Sequence, residues 1–116
     1  MNVASLELCK ELYELSGWND TDLAHAEEAE RVFLAAYNYG EFGYEAIRLA
    51  PAYDLGYLLR KLPEQVTLSC FRSSWRCEVL IPNDIATVSA DTPEDAAAKL
   101  AIELWKQGVL SREAKS

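Results

Sequence analysis

The residue types that most often act as reactive thiols or as zinc ligands occur four times in this chain: three cysteines, Cys9, Cys70 and Cys77, and one histidine, His25. A zinc site built by a single chain needs four nitrogen or sulfur ligands, and the sequence contains no CxxC spacing. We therefore expect no metal ion. Cys9 lies among leucines on a predicted helix, an environment typical of a structural thiol rather than of a nucleophile.

His25 is followed closely by Glu27 and Glu28 on a second predicted helix. Neighbouring carboxylates can raise the pKa of a histidine and permit acid–base catalysis. A solvated surface histidine is the more common case, and we favour that interpretation for His25.

Cys70 and Cys77 form a predicted cross-strand pair. If Ser73 and Ser74 make the turn of a β-hairpin, Cys70 lies directly opposite Cys77, and the apolar residues on either side share one face. This separation would fit a disulfide. In a reducing compartment, two buried free thiols that act as small apolar side chains are favoured instead.

The carboxylates occur in short runs at 20–22, 27–30 and 94–95, where helix capping and solubility account for them. The chain has no Walker A loop and no GxGxxG, HExxH or GxSxG motif. We therefore expect no catalytic residues, no cofactor and no enzymatic activity.

The net charge of −8 is concentrated in residues 1–64. A strongly acidic chain repels phosphates, so direct binding to nucleic acid is disfavoured, whereas a protein with a basic surface is a suitable partner. Aromatic and acidic side chains alternate in the same region, and we define eight of them as the acidic-aromatic patch, the candidate partner-binding surface: Glu27, Glu28, Glu30, Tyr37, Tyr39, Glu41, Phe42 and Tyr44. The alternative is that about half of these rings pack against the sheet.

Three helices and one sheet are clear in the sequence, and one segment is ambiguous. Apolar spacing, caps and stop signals predict helices over 5–15, 54–62 and 92–108. Alternation predicts antiparallel strands within 65–90, where Phe71 and Leu80 are apolar exceptions on the polar face. For 22–37 we favour a helix, although the aromatic residues that follow could belong to a hairpin.

These elements predict a single domain over 1–116 of the α+β class: a small antiparallel sheet of three to four strands packed against helices, in an α–β(–α) layered sandwich. With 50% hydrophobic residues, the chain can bury a core. It has no apolar run of about 20 residues to cross a membrane. Its first residues do not have the pattern of a signal peptide, so we expect a cytoplasmic location.

Three segments carry a resemblance: CKELYELSGW, APAYDLGYLLRKLP and ADTPEDAAAKLAIELWKQGVL. Together they resemble a group of small uncharacterised bacteriophage and prophage proteins related to the phage ABA-sandwich domain family. The resemblance covers about half of the chain and implies a phage origin, a layered fold and an accessory gene product. It implies no catalytic residues.

Our preferred functional hypothesis is a non-enzymatic module that binds a host or phage protein, with an inhibitor of a host defence system as one concrete version. The runner-up is a small-molecule-binding protein, a sponge or minor enzyme, with a pocket between sheet and helices lined by tyrosines. A structural or assembly accessory is the third hypothesis, and a homodimer is left open.

Overall fold

The computed structural model describes residues 2–21, 23–28, 31–36, 47–82 and 84–110. It has the predicted α+β class, with helices and antiparallel sheets packed on one another. The elements follow in the order α1 (Leu6–Ser16), β1 (Leu23–Glu28), β2 (Arg31–Ala36), β3 (Ile47–Ala52), α2 (Leu55–Lys61), β4 (Thr67–Phe71), β5 (Ser74–Ile81), β6 (Asp84–Ala90) and α3 (Pro93–Lys106).

Each of the three helices begins at a side-chain cap. The side chains of Ser5, Asp54 and Thr92 accept hydrogen bonds from backbone N–H groups in the first turns of α1, α2 and α3. Gly17 ends α1 at φ 72°, a left-handed conformation that favours glycine. The three predicted helices are therefore confirmed to within a residue or two at their ends.

The helix predicted over 22–37 is wrong, because β1 and β2 occupy this segment. With β3 they form a three-stranded antiparallel sheet in the order β2-β1-β3, which the sequence did not reveal. Alanine and glutamate favour helices, but the difference in propensity is less than about 1 kcal/mol per residue. Pairing of β1 with a strand on each side outweighs this preference. Within the described residues the fold thus has two small sheets rather than the single sheet of three to four strands that we predicted.

The sheet predicted within 65–90 is present, with strand order β4-β5-β6, but its register differs from the prediction. The turn is made by Arg72 and Ser73, whose φ angles are 52° and 68°. Two consecutive positive φ values are typical of the turn that matches the twist of paired strands. Cys70 therefore lies opposite Trp75 rather than opposite Cys77.

This shift of two residues leaves every side chain on its predicted face, because side chains alternate with a period of two. The alternation therefore identifies the faces correctly and is insensitive to the shift. The predicted Cys70–Cys77 pairing is wrong because alternation alone does not distinguish two registers that differ by two residues. Both thiols are free, but only Cys77 is buried. Cys70 is exposed, so the expectation of two buried thiols is wrong for Cys70.

Helix α3 lies at the centre of the core. It packs against β5 and β6 on one side and is contacted by α1 and α2, while α1 also contacts β3 and so links the second sheet to the core. The small side chains of α3 permit close approach of several neighbours, and seven residues of the helix are buried: Ala96, Ala97, Ala98, Leu100, Ala101, Ile102 and Leu104. In the part of the chain that the structure describes, no helix is long and apolar enough to cross a membrane.

Candidate functional site

The side of the β4–β5–β6 sheet that faces away from α3 is the candidate functional site, and we call it the open face. Buried residues such as Cys77, Val79 and Ala86 point toward the core. The alternate positions point outward, and no described helix covers them. The open face consists of Thr67, Ser69, Phe71, Ser74, Arg76, Glu78, Leu80, Ile85, Thr87 and Ser89.

Three large apolar side chains are exposed on the open face. Phe71 is 70% exposed, Leu80 is 72% exposed and Ile85 is 53% exposed. Leu80 and Ile85 lie directly opposite each other on β5 and β6, whereas Phe71 lies at the other end of the sheet, beside the β4–β5 turn. The open face therefore has an apolar group at each end.

The middle of the open face is polar and carries both signs of charge. The register places Ser69, Arg76 and Ser89 in one row across the three strands. The next row consists of Thr67, Glu78 and Thr87. Arg76 and Glu78 are thus neighbours of opposite sign, about 7 Å apart along β5.

The Arg76 end of the open face is cationic, in contrast to the net charge of the chain. Ser69, Phe71, Ser74, Arg76 and Ser89 surround a shallow depression of about 380 Å³, together with Cys70. The Arg72 guanidinium carbon lies 5.3 Å from the centre of the Phe71 ring, and Lys99 Nζ donates to the Ser89 carbonyl at 3.2 Å. An acidic group of a partner would therefore be favoured at this end.

A second group of side chains connects α2 with the segment that follows α1. The Tyr53 and Tyr57 rings stack at 5.3 Å, and Trp18 lies edge-on to Tyr57 at 6.4 Å and to Trp105 at 5.9 Å. The Tyr53 hydroxyl donates to the Trp18 carbonyl at 2.6 Å. Trp18 therefore folds back onto the core.

Asp20 and Lys61 lie at the edge of this aromatic group. The Tyr57 hydroxyl donates to Asp20, and Lys61 Nζ lies 3.8 Å from an Asp20 oxygen and 5.3 Å from the centre of the Tyr57 ring. The hydrogen bond from Tyr57 holds the pKa of Asp20 below its usual value. Burial, and then the hydrogen bond to Asp20, raise the pKa of Tyr57. Tyr57 therefore stays protonated, and the group is suited to holding α2 in place.

The tyrosine-lined pocket of the runner-up hypothesis stays a prediction. Tyr53 and Tyr57 are both buried in the core, and their rings stack on each other. The depression described above lies on the opposite side of the sheet from the core.

Cys9 and His25 meet at one backbone carbonyl in the core. Cys9 Sγ donates to the Ala4 carbonyl at 3.5 Å, and His25 Nε2 lies 3.1 Å from the same oxygen. A carbonyl can only accept, so both side chains act as donors and neither activates the other. Burial raises the pKa of the Cys9 thiol to about 11. The thiol therefore remains protonated and is a poor nucleophile.

The interpretation of His25 as a solvated residue on a helix is wrong. His25 lies on β1, is 7% exposed and bonds to the N-terminal segment that precedes α1. Burial lowers the pKa of His25, and the hydrogen bond to Ala4 and the charge of Glu7 oppose this effect. The error follows directly from the wrong assignment of the 22–37 segment as a helix.

The acidic-aromatic patch is largely outside the described residues. Glu27 and Glu28 lie on β1, where the structure describes their backbone pairing with β2. Glu30, Tyr37, Tyr39, Glu41, Phe42 and Tyr44 lie outside the described residues. The patch therefore stays a prediction. Over the described part of the chain, no group of three or more metal-ligating side chains could hold a metal ion.

The open face was not predicted as a site, although the sequence contains a signal for it. Phe71 and Leu80 are apolar residues at positions where alternation predicts polar ones. Two such exceptions on one face indicate a contact surface more strongly than a single one does.

Comparison with protein-family models, with curated proteins and with solved structures finds no match to this chain. The geometry of the described residues therefore carries the functional argument.

Proposed function

We propose that this protein is a non-enzymatic protein-binding module and that the open face is its contact surface. The observation that carries the proposal is the exposure of Phe71, Leu80 and Ile85 on a sheet face that no described helix covers. Large apolar side chains grouped on one face of a small domain are typical of a surface that another molecule covers.

On the open face, the apolar residues would supply affinity for a partner and the charged residues would supply specificity. Burial of Phe71, Leu80 and Ile85 against a partner would supply the hydrophobic free energy, at about 25 cal/mol per Å² of apolar surface. Arg76 and Glu78 would require a partner with the opposite pattern of charge. Hydroxyl groups between them can form hydrogen bonds without the cost of burying a charge.

The kind of partner is suggested by the resemblance and by the net charge. An accessory protein of a phage would act in the cytoplasm of a bacterial host, on a host or phage protein. Inhibition of a host defence system is the narrower proposal, and the acidic-aromatic patch would then contact a basic surface. Such binding would weaken steeply with salt, and it would be lost when Glu27, Glu28 and Glu30 are reversed in charge.

Capture of partners from bacterial lysate tests the role of the open face. We expect the wild-type chain to retain a specific protein that a variant with Leu80→Ser and Ile85→Ser fails to retain. Tyr13, on the exposed side of α1, is 37% exposed, so Tyr13→Ser is a matched control that should retain the same protein.

Circular dichroism and thermal unfolding of each variant check that the fold is intact. Equal capture by the wild-type chain and by the folded Leu80→Ser, Ile85→Ser variant would contradict the proposal. Loss of capture by the Tyr13→Ser control would contradict the assignment to the open face.

A further inference from the structure

The proposed function leaves the occupant of the open face to be identified, and the inference drawn here rests on that proposal. We propose that the open face binds a second copy of this chain, face to face, about a two-fold axis. The axis runs across the strands, between the row that contains Arg76 and the row that contains Glu78.

The pattern of the open face is self-complementary under this rotation. A two-fold axis in the plane of the interface and perpendicular to the strands reverses the direction of each strand. It therefore places the Arg76 row of one copy over the Glu78 row of the other. It also places the Phe71 end of one copy over the end that carries Leu80 and Ile85 in the other. Each contact occurs twice, as a two-fold interface requires.

The charges select this orientation over the other face-to-face arrangement. A two-fold axis parallel to the strands would place Arg76 over the Arg76 row and Glu78 over the Glu78 row, and like charges would oppose each other. Within the described residues the ion pairs are Lys61–Asp20 and Lys106–Glu11. Arg76 and Glu78 therefore have no ion-pair partner there and are available to a second copy.

A second copy of this chain would also match the charges on the open face. Its Arg76 end is cationic, with Arg72 beside Phe71, and Glu78 lies one row away on β5. A second copy supplies both an acidic group for Arg76 and a basic group for Glu78.

The size of the open face predicts a weak dimer. Three strands and the eight residues of β5 span roughly 14 Å by 26 Å. Two such faces would bury roughly 700 Å² in total, which is below the size of a standard stable interface. We therefore expect a weak dimer that forms only at high protein concentration.

Sedimentation of the full chain over a range of concentrations measures its dimerisation. Exchanging the charges of residues 76 and 78 tests whether these side chains pair across the interface. We expect the wild-type chain to form a dimer. Arg76→Glu alone and Glu78→Arg alone should each weaken it by about tenfold or more, because each change breaks two ion pairs and creates two repulsions. The double variant, Arg76→Glu with Glu78→Arg, should restore the association to within about threefold of wild type.

Two exposed residues on α1 give matched controls, since Lys10→Glu and Glu14→Arg change the net charge by the same amounts away from the open face. Neither should alter the association. Thermal unfolding shows whether each variant is folded.

A wild-type chain that remains monomeric up to about 1 mM would overturn the inference. A dimer whose association is unchanged by either single charge reversal would also overturn it. So would a double variant whose association remains weak. These failures are distinct from failure of the proposed function. A monomeric chain whose capture of another protein depends on Leu80 and Ile85 would leave the proposed function intact.

Discussion

At the scale of single residues, His25 is the side chain whose surroundings have the clearest consequence. It is buried on β1, donates through Nε2 to the Ala4 carbonyl and has its pKa lowered by burial. The Ala4 N–H in turn donates to the Tyr53 carbonyl at 2.9 Å. Neutral His25 thus helps to join the N-terminal segment to the sheet formed by β2, β1 and β3.

We expect the free energy of unfolding to fall between about pH 7.5 and about pH 5.5. The unfolded chain has the higher histidine pKa, near 6.5, so it takes up a proton before the folded chain does. The contribution of His25 is therefore fully present above about pH 6.5 and is lost as the pH falls through the folded-state pKa. Urea unfolding at the two pH values measures the effect.

His25→Gln is the matched variant for this measurement, because an amide can still donate to Ala4 and does not titrate. His25 is the only histidine of the chain, so the variant should lose most of the pH dependence in this window. An equal pH dependence in the variant and in the wild-type chain would contradict the assignment to His25.

At the scale of elements, α3 contributes more buried core residues than any other described element. Its buried side chains contact both the β4–β5–β6 sheet and the other two helices. Leu104 is fully buried in this helix, whereas Leu80 is exposed on the open face. We therefore expect Leu104 to contribute to folding and Leu80 to contribute to binding.

Leu104→Ala should lower the free energy of unfolding by about 2–5 kcal/mol, because it removes buried methyl groups and leaves a cavity. Leu80→Ala, the same change on the surface, should alter it by less than about 0.5 kcal/mol. Urea unfolding of both variants measures the difference. A loss below about 1 kcal/mol for Leu104→Ala would contradict the central position of α3.

The elements that the sequence predicts well are those with local signals. Ser5, Asp54 and Thr92 act on backbone groups three residues away, so each helix start can be identified within a short segment. The strands β1 and β2 lack such signals. They pair locally, with Glu28 opposite Arg31, but the residues between them, Ala29 and Glu30, are not typical of a hairpin turn. The pairing of β1 with β3 depends on distant residues. The register of β4 with β5 was missed because a shift of two residues preserves both faces.

At the scale of the whole molecule, the protein is a small acidic α+β domain whose β4–β5–β6 sheet has one face left uncovered by the described helices. The candidate site could be predicted from the sequence only in part. Phe71 and Leu80 are visible as exceptions to the alternation, but Ile85 becomes part of the same surface only when β5 and β6 are paired. The relation of Arg76 to Glu78 under a two-fold axis likewise requires the register.

The binding of a second chain at the open face is tested most directly by NMR signals from its apolar side chains. We predict that the methyl signals of Leu80 and Ile85 and the ring signals of Phe71 shift on dilution from about 1 mM to about 20 μM. The ring signals of Tyr13 on α1 should not shift. Signals of Leu80, Ile85 and Phe71 that stay constant over this range would contradict the account.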